Sequence, residues 1–439
     1  MAKAKKKESL TPEERLQAAL VPESEQPYPV PANWCWVYAL AMFDIEYGKG
    51  LPTKKLCESG YPVFGANGQI GFYNEYMFEE TKTLMSCRGA YSGTMNLSLP
   101  KSFITNNSLV IESKLPNVDT KFVFYLFSAL NRTNLISGSA QPQVTIQAFN
   151  NYPVPILPLP EQQRIVDRIE SLFAKLDEAK QKAQDTLDSF ETRKAAILHK
   201  AFTGELTAQW RKEHGVRMES WENLRLENLI EGGPQNGLYK PQTAYGTGTK
   251  ILRIDCFYEG AVLPWENLKR LALSKNEIEQ YHLNINDIVI NRVNSMAYLG
   301  KSALIRELPE ECVFESNMMR IALNTRMVIP EYAIKYLNSV IGVQELRKNA
   351  KQAVNQASIN QQDVKNVAIK LPKLDEQAEI VRLLDDLLAK EQQAKEAAEG
   401  VLEQIDLMKK AILARAFRGE LGTNDPREES AVELLKQVL

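Results

Sequence analysis

The sequence predicts an α+β protein in which two globular domains alternate with two long helices, in a pseudo-two-fold arrangement. The main observation is an internal repeat: residues 161–206 recur at a constant offset of 215 as residues 376–421, with 20 identities over 46 ungapped positions. Each copy follows a globular segment whose short, mixed apolar patterns are typical of α+β structure. A protein built as two similar halves is expected to act on an object that itself has two similar halves.

The composition is that of an ordinary globular protein of 439 residues, long enough for two or three domains with their own cores. No run approaches the roughly 18 apolar residues of a membrane span. The basic segment 1–7 is not followed by the apolar stretch of a signal peptide. The five cysteines form no CxxC pair and there are only three histidines, so we expect neither a zinc site nor a disulfide framework. These features favour a cytoplasmic location.

Charge is distributed unevenly, although the net charge is only −2. Counting Lys and Arg against Asp and Glu, residues 31–157 carry +9 and −8, and residues 221–373 carry +19 and −16. The repeat segments 158–206 and 374–422 carry +8 and −9, and +7 and −11. The globular segments are therefore mildly basic, which permits contact with DNA. Margins this small also fit a random distribution of charges.

Local signals divide the chain into globular and helical segments. Thr11 and Glu14 form a capping box for a helix that runs to about Leu20, and an extended proline-rich linker follows. Each globular segment opens on a tryptophan, Trp34 or Trp221. We expect strands at 108–111, 250–255 and 287–290, and helices at 121–130, 331–338 and 342–349. The predicted segments are an N-terminal helix and linker (1–30), a first globular domain (31–157), a first repeat helix (158–206), a linker (207–220), a second globular domain (221–373), a second repeat helix (374–422) and a C-terminal tail helix (423–439).

The repeat helices carry a narrow apolar stripe whose positions step by three and four, as in a coiled coil. About 40 residues at about 1.5 Å each make a rod of about 60 Å, and the expected partner of each rod is the other copy. The alternative is that each helix packs only on its own domain. Glu391 stands in the second stripe where the first copy has Leu176, and Ala394 is expected in that stripe. The main predicted seam residues are Ile165, Ile169, Leu172, Leu176 and Leu187 in the first copy, and Ile380, Leu384, Leu387, Leu402 and Ile405 in the second.

Four segments resemble the conserved regions of the specificity (S) subunit of type I restriction-modification systems. They read TPEERLQAALVP (11–22), LPLPEQQRIV (157–166), GELT…WR (204–211) and LPKLDEQAEIV (371–381). The resemblance extends over essentially the whole chain. It implies that each globular segment is a target recognition domain for one half of a split DNA sequence, and that the two helices form an antiparallel coiled coil.

The resemblance also implies a set of partners. The subunit would carry no catalysis and would hold two modification (methyltransferase) subunits, with restriction subunits added in the full complex. S-adenosylmethionine would then serve the methyltransferase partner, and ATP with Mg the restriction partner. The outer surfaces of the coil and the terminal segments 11–21 and 429–439 are candidate faces for these partners. The apolar residues of the last segment, namely Val432, Leu434, Leu435 and Val438, fit packing on the chain's own coil equally well.

Candidate DNA-binding residues lie in glycine-rich loops that resemble loops of the family. Arg, Lys, Asn and Gln are the side chains that contact base edges in the major groove, and glycine permits close backbone approach. A solvated loop residue is the alternative for each of them. In the first domain, segments 61–76 and 86–96 supply Asn67, Gln69, Arg88 and Ser92. In the second, the matching segments 236–240 and 290–304 supply Tyr239, Lys240, Arg292, Asn294, Ser295 and Lys301.

Enzyme motifs are missing from the sequence. Gly246–Lys250 is too short for a phosphate-binding loop, and there is no NPP[FY] methyltransferase stretch and no Gly-x-Ser-x-Gly elbow. Glu112–Lys114 imitates the end of a nuclease site without the upstream Pro-Asp. We therefore expect a non-catalytic subunit that recognises a bipartite asymmetric DNA site. The alternative is a coiled-coil scaffold or adaptor that does not bind DNA. A protein that mimics DNA is disfavoured because the globular segments lack dense carboxylates.

Overall fold

The structure, a computed structural model, describes residues 11–258, 260–354 and 356–439. The basic segment 1–7 lies outside the described residues. The chain divides into two compact units, Met1–Ala183 with Gly400–Leu439 (unit 1) and Gln184–Glu399 (unit 2). Within the described ranges, no helix is both long and apolar enough to cross a membrane. Each unit contains one globular domain together with part of both repeat copies.

The helices and strands of the first half follow in chain order. They are α1 (Pro12–Ala19), β1 (Cys35–Tyr38), α2 (Ala39–Met42), β2 (Phe43–Tyr47), β3 (Tyr61–Gly65), β4 (Gly68–Tyr73), β5 (Thr83–Ser86), β6 (Met95–Leu97), β7 (Phe103–Ile104), β8 (Ser108–Ser113), α3 (Thr120–Ala129), β9 (Ile136–Ser137), β10 (Gln143–Val144), β11 (Pro153–Ile156) and α4 (Leu159–Asp188).

The second half continues from the first repeat. Its elements are α5 (Phe190–Thr203), α6 (Ala208–His214), β12 (Glu222–Arg225), β13 (Ile230–Asn236), β14 (Tyr245–Leu252), β15 (Phe257–Tyr258), β16 (Ala261–Val262), β17 (Arg270–Leu271), α7 (Lys275–Tyr281), β18 (Ile288–Asn291), β19 (Val293–Asn294), β20 (Ser302–Leu304), β21 (Cys312–Phe314), β22 (Met318–Leu323), α8 (Pro330–Leu337), α9 (Val340–Arg347), β23 (Lys351–Gln352), β24 (Ala357–Ser358), α10 (Gln361–Lys365), β25 (Ala368–Leu371), α11 (Leu374–Ala416) and α12 (Ala431–Val438).

The two globular domains share one topology. In unit 1 an antiparallel sheet has the order β2-β8-β5-β6, and in unit 2 the order is β13-β22-β18-β20. A second sheet, β4-β3-β7 or β17-β14-β21, contains one antiparallel and one parallel pair in each unit. A two-stranded ladder, β1-β11 or β12-β25, joins the beginning and the end of each domain. The segments 31–157 and 221–373 therefore contain the same fold in spite of their diverged sequences.

Helix α3 in unit 1 and helix α8 in unit 2 pack on the repeat helices at equivalent places, and in unit 2 helix α9 also contacts α5. The ring of Phe122 on α3 lies 5.8 Å from that of Phe417. The ring of Tyr332 on α8 lies 5.5 Å from that of Phe202, the residue equivalent to Phe417 at the repeat offset. Buried apolar side chains of α3 or α8 and of the repeat helices belong to one continuous core in each unit.

The two repeat copies run antiparallel within each unit. In unit 1, Lys409 Nζ lies 2.5 Å from Asp177 Oδ1, and nearer the start of α4 Arg164 binds Glu428. In unit 2, Arg193 Nε lies 2.7 Å from Glu391 Oε2, and further along Arg211 binds Glu376. In both units, residues further along the first repeat copy and its linker pair with earlier residues of the second copy and its tail, which is the order expected for antiparallel chains. Mixed helices and sheets, two domains of one fold and long antiparallel helices confirm the predicted fold class.

The two repeat helices differ in continuity. The second is a single helix of 43 residues, whereas the first is interrupted at Ser189 between α4 and α5. The Ser189 hydroxyl donates to the Asp185 carbonyl at 2.6 Å, and Arg193 Nη2 donates to the Thr186 carbonyl at 3.2 Å. These side-chain bonds compete with the helical ladder, as serine commonly does. The second copy has Gln404 in place of Ser189 and continues without a break.

The seam residues lie on the inner side of the helices. Ile165, Ile169, Ile380, Leu384 and Ile405 are buried. Leu172, Leu176, Leu187, Leu387 and Leu402 are half-buried. The expectation for Ala394 is wrong, because this residue is exposed.

Two charged residues complete the seam of unit 2. The half-buried Lys395 lies beside the exposed Ala394 and places its ammonium 5.0 Å from the centre of the Phe190 ring. The seam position of Glu391 is explained by its ion pair with Arg193. Lys395 and Glu391 therefore stand where a regular apolar stripe would have apolar side chains.

Most local predictions agree with the structure to within a few residues. The capping box of Thr11 and Glu14 is present, and α3, α8 and α9 lie where helices are predicted. The strand predicted at 250–255 is wrong at both ends, because β14 begins at Tyr245 and ends at Leu252. The Ile254 amide is bound instead by the Glu315 carboxylate, at 2.6 Å.

The C-terminal helix α12 packs into the core of its own unit. Ala431 and Leu435 are fully buried there, and the other apolar residues of the segment pack against the same core. The Ala431 amide also donates to the Asn33 carbonyl at 2.9 Å. The apolar side chains of this segment therefore pack within their own unit, against α2 as well as the repeat helices, and the assignment of 429–439 as a partner-binding face stays a prediction.

Candidate nucleic-acid interface

Four loops and a hairpin turn gather at one end of the first domain. The Lys49 amide donates to the Ile104 carbonyl, and the Gly89 amide donates to the Pro142 carbonyl, both at 2.9 Å. The turn between β3 and β4 is bound by the Ser108 hydroxyl, which donates to Gly65 at 3.0 Å, and by the Ser86 hydroxyl, which donates to Ala66. The loops 47–51, 86–94, 105–108 and 142–144 and the turn 65–68 thus form one surface, here called the loop end of the domain.

The predicted residues of the first domain meet at this loop end. Asn67, Gln69 and Arg88 are exposed there. Ser92 is half-buried, and its hydroxyl donates to the Pro142 carbonyl at 2.7 Å, so that it also holds the loop in place. Burial raises the pKa of the neighbouring Cys87 thiol, which keeps it uncharged beneath Arg88.

Sequence reasoning missed further basic residues in loop 47–51 and in the segment that follows it. Lys49 follows Gly48 at the end of β2, and Lys54 and Lys55 come a few residues later; all three side chains are exposed. The segment GKGLPTKK carries the signal, since a glycine-rich turn with three lysines is typical of a phosphate-contacting loop. Lys49 lies in loop 47–51 and, with Arg88, adds positive charge to the loop end. Lys54 and Lys55 lie in the segment that leads to Cys57, which is bridged to Phe72 at the end of the β3–β4 hairpin opposite its turn.

The second domain has an equivalent loop end. The same backbone hydrogen bonds build both ends, so loops 236–240 and 291–301 correspond to loops 47–51 and 86–94. Each of four hydrogen bonds in the first domain has a counterpart in the second. Gly48 N to Ser108 O matches Gly237 N to Met318 O, and Cys87 N to Asn107 O matches Arg292 N to Asn317 O. Gly93 N to Ser86 O matches Gly300 N to Asn291 O, and Val144 N to Cys87 O matches Ile359 N to Arg292 O.

Gly48 and Gly237 show why each of these loops requires glycine. A β-carbon on Gly48 would lie 2.4 Å from the carbonyl oxygen of Ile104, and one on Gly237 would lie 2.2 Å from that of Glu315. The match of segment 290–304 with 86–96 agrees with this equivalence. The match of 236–240 with 61–76 is wrong, because 236–240 corresponds to 47–51.

The predicted residues of the second loop end differ in accessibility. Tyr239 is 77% exposed and Ser295 is exposed. Arg292 is half-buried and donates to the Ser316 carbonyl at 3.1 Å, and Asn294 is half-buried in β19, which pairs with β24. Lys240 lies 2.6 Å from the Glu277 carboxylate, so its charge is already partnered. The structure therefore leaves Tyr239 and Ser295 the most accessible members of the predicted set.

Lys301 faces a cleft beside the loop. Its ammonium lies 5.8 Å from the centre of the Tyr298 ring and 5.9 Å from that of Phe257. The cleft, of about 650 Å³, has the basic lining residues Lys194, Lys301, Arg306, Lys335 and Arg347. The cleft beside the equivalent loop of unit 1, of about 540 Å³, has Arg132 as its basic lining residue.

A buried carboxylate fixes each domain to the start of a repeat helix. In unit 1, Trp34 Nε1 donates to Glu161 at 2.7 Å. In unit 2, Trp221 Nε1 donates to Glu376 at 2.9 Å. The two glutamates are equivalent at the repeat offset and almost fully buried. The tryptophan that opens each domain is thus bound directly to the helix that follows the domain.

The described residues contain no group of three or more His, Cys, Asp and Glu side chains that could hold a metal ion. The loop ends carry cationic, amide, hydroxyl and aromatic side chains above glycine-containing loops. Such side chains bind phosphate oxygens and base edges.

Comparison with known proteins identifies the family. Residues 41–187 and 218–400 match the type I restriction modification DNA specificity domain. The chain is 27% identical over 293 residues to the type I restriction enzyme EcoKI specificity subunit of Escherichia coli (strain K12), which covers 66% of this chain and 62% of that subunit. It is 28% identical over 334 residues to the StySPI specificity subunit of Salmonella potsdam, which covers 76% of this chain and 68% of that subunit.

A solved structure has the same fold. The HsdS subunit from Thermoanaerobacter tengcongensis superimposes with a TM-score of 0.59 at 20% identity, covering 91% of this chain and all of that chain. The aligned region spans less than two thirds of the EcoKI subunit's length. The match to both domains nevertheless covers most of the present sequence. The chain belongs to the family of type I restriction-modification DNA specificity subunits.

Proposed function

We propose that this chain reads a bipartite, asymmetric DNA site as the sequence-specificity subunit of a type I restriction-modification complex. The observation that carries the proposal is the pair of equivalent loop ends, one on each of two domains with the same topology. Their shared backbone supplies the same docking geometry twice. Their different side chains supply two different sets of contacts, so the two halves of the site differ.

The chemistry of the loop ends supports contact with DNA. Arg88, Asn67 and Gln69 in the first domain, and Ser295 with Tyr239 in the second, are accessible donors and acceptors. Arg, Asn and Gln can make bidentate contacts with base edges, whereas Lys49 suits phosphates. The scaffold alternative does not account for side chains of this kind on two equivalent surfaces.

The chain itself performs no catalysis in this proposal. It positions two modification subunits, which use S-adenosylmethionine to methylate an adenine in each half-site, and restriction subunits, which use ATP and Mg. The repeat helices set the distance between the two half-sites, and the whole complex acts in the cytoplasm against foreign DNA. The exposed faces of the repeat helices and of segment 11–21 are the proposed surfaces for these subunits.

The test is genome-wide mapping of adenine methylation in cells that express the chain with its modification subunit. We expect a split motif with a fixed gap that is absent when the chain is omitted. Arg88→Ala is expected to relax one half of the motif only. Lys101→Ala, which removes an exposed charge outside the loop end, is the matched control and leaves the motif unchanged. An active, chain-bound methyltransferase with no chain-dependent motif would reject the proposal in favour of the scaffold.

A further inference from the structure

Both loop ends carry a tyrosine at the same structural position. The carbonyl of Tyr91 accepts from the Thr94 amide at 2.9 Å, and the carbonyl of Tyr298 accepts from the Lys301 amide at 3.3 Å. The glycine that closes each loop, Gly93 or Gly300, makes the matching bond described above. The equivalence of the two tyrosines therefore rests on backbone geometry and does not depend on sequence alignment.

The tyrosine side chains are unusually accessible for aromatic residues. Tyr91 is 49% exposed and Tyr298 is 52% exposed. Each stands in the sequence Ala-Tyr-x-Gly, which begins at Ala90 or Ala297. A large apolar ring half exposed at the same place in two separate domains serves no core, because burial of such a ring would normally stabilise the fold.

The residues that precede the tyrosine differ between the domains. Four residues separate Ser86 from Tyr91, whereas six separate the equivalent Asn291 from Tyr298. The first stretch contains Arg88 and the second contains Asn294 and Ser295. One loop therefore combines a variable part, which differs in length and chemistry, with a constant tyrosine.

The constant residue must contact a feature that both half-sites share. Base edges differ between the halves of an asymmetric site, but the sugar–phosphate backbone is chemically the same in both. A phenolic hydroxyl donates well to a phosphate oxygen. The variable part of the loop, a few residues away, is then held at a fixed distance from the bases.

We infer that Tyr91 and Tyr298 are positioning residues that make equivalent, sequence-independent contacts with the DNA backbone. Each holds its loop in register, so that Arg88 in one domain, and Asn294 and Ser295 in the other, meet the base edges. This inference rests on the proposed function and adds a division of labour within each loop. The modification subunit is the other feature common to both halves, and the test separates it from DNA.

The experiment measures equilibrium DNA binding of the full-length chain with its modification subunits, by fluorescence anisotropy. One duplex carries the split motif obtained by methylation mapping, and two others carry substitutions in one half each. The variants are Tyr91→Phe and Tyr298→Phe, which remove only the hydroxyl. Tyr38→Phe, which removes a tyrosine hydroxyl at the end of β1, outside both loop ends, is the control.

We expect each loop variant to weaken binding to all three duplexes by the same factor of roughly 10 to 100, which corresponds to the loss of one hydrogen bond to a charged group. The preference for the motif stays unchanged. The slope of affinity against salt concentration also stays unchanged, because a neutral hydroxyl releases no counterion. The control variant binds like the unaltered chain.

Three outcomes would overturn the inference. A loss of preference confined to one half-site would make that tyrosine a base reader. Unchanged DNA affinity with loss of the modification subunit would assign the contact to that protein. Unchanged DNA affinity with the complex intact would leave the hydroxyls without a role. The unaltered complex tests the proposed function separately: if it shows no preference for the motif duplex, the proposed function itself fails. If it shows the preference and the tyrosine variants give one of the three outcomes above, only the inference fails.

Discussion

Glu161 and Glu376 stand at the same position of the two repeat copies and bind the same kind of tryptophan, yet their remaining partners differ. Glu161 accepts hydrogen bonds from two further neutral side chains, Asn424 Nδ2 at 2.8 Å and Thr423 Oγ1 at 3.3 Å. Glu376 accepts from Thr207 Oγ1 at 2.7 Å and from the guanidinium of Arg211 at 2.6 Å. The first carboxylate is therefore held by dipoles and the second by a cation.

The difference follows from the chain segments that close the two units. In unit 2 the internal linker 207–220 supplies Arg211 on α6, and this side chain is itself almost fully buried. In unit 1 the C-terminal tail occupies the corresponding place and supplies Thr423 and Asn424. Arg164 of unit 1 is more exposed and binds Glu428 of the tail in a bidentate pair, with both distances 2.8 Å. Duplicated helices thus keep an anchoring carboxylate while its neutralising groups diverge.

The comparison teaches that equivalent buried carboxylates need not contribute equally to stability. A buried charge that loses its ionic partner costs more than a buried neutral donor that loses an acceptor. The two units should therefore respond unequally to the same substitution.

The largest effect is expected for Glu376→Ala. This change leaves the buried Arg211 guanidinium without its carboxylate and should reduce the free energy of unfolding of unit 2 by about 3–5 kcal/mol. Hydrogen exchange measured by mass spectrometry on α8 reports on this unit. The double change Arg211→Met with Glu376→Leu removes both charges and is the control, which should recover most of the loss. A double variant as unstable as the single one would contradict the ionic explanation.

A smaller effect is expected for Glu161→Ala. The groups left without an acceptor are Trp34, Asn424 and Thr423, all neutral, and the cost to unit 1 should be about 1–3 kcal/mol. The same exchange experiment, followed on α3, measures it. A loss equal to or greater than that of Glu376→Ala would contradict the conclusion that the ion-paired carboxylate contributes more to stability.

The ion pair in the seam should contribute less than either anchor. Glu391→Leu introduces the residue type that the first copy has at the equivalent position, Leu176. Its partner Arg193 keeps hydrogen bonds to Ser189 and the Thr186 carbonyl. We expect a change in the free energy of unfolding of no more than about 1 kcal/mol, because partly exposed ion pairs contribute little. Thermal unfolding of the two proteins checks this, and a loss of more than about 2 kcal/mol would show that the seam depends on the charge pair.

The smallest expected effect is a pH-dependent contribution to stability from the ion pair of Lys240 and Glu277 at the second loop end. The Lys240 ammonium, with the amide and hydroxyl of Ser274, lowers the pKa of Glu277 to about 2. A lowered carboxyl pKa stabilises the folded state above the ordinary carboxyl range, and this contribution is lost as the pH falls from about 4.5 toward 2. NMR titration of the Glu277 carboxyl should give this value. Lys240→Ala should raise the pKa, though not fully, because Ser274 remains. An unaltered pKa in that variant would refute the pairing.

Much of the helical part of the fold was predictable. The repeat located both long helices, and Gly204 and Gly419 end the repeat helices in the left-handed conformation that favours glycine. The interruption at Ser189 was not predicted, because the apolar stripe continues through it and the competing bonds come from the side chains of Ser189 and Arg193.

The candidate site was predictable in its loops but not in its geometry. Segments 86–96 and 290–304 are recognisable from glycine and polar side chains. The correspondence of 236–240 with 47–51 was missed, because the segments share little beyond Gly48 and Gly237 and the proline four residues later. Lys240 is a plausible DNA contact in sequence, and only the position of Glu277 on α7 shows that its charge is already partnered.

The sequence by itself determined the duplicated architecture, the presence of the two long helices and the family, since these depend on local periodicity and on residues repeated at a constant offset. The tertiary structure alone decided which residues meet. Trp34 and Glu161 are 127 residues apart, and Trp221 and Glu376 are 155 apart. Tyr91 and Tyr298 occupy one position of a shared fold although the loops before them differ in length. Backbone hydrogen bonds between distant strands set these relations, and such pairings leave no periodic signal along the chain.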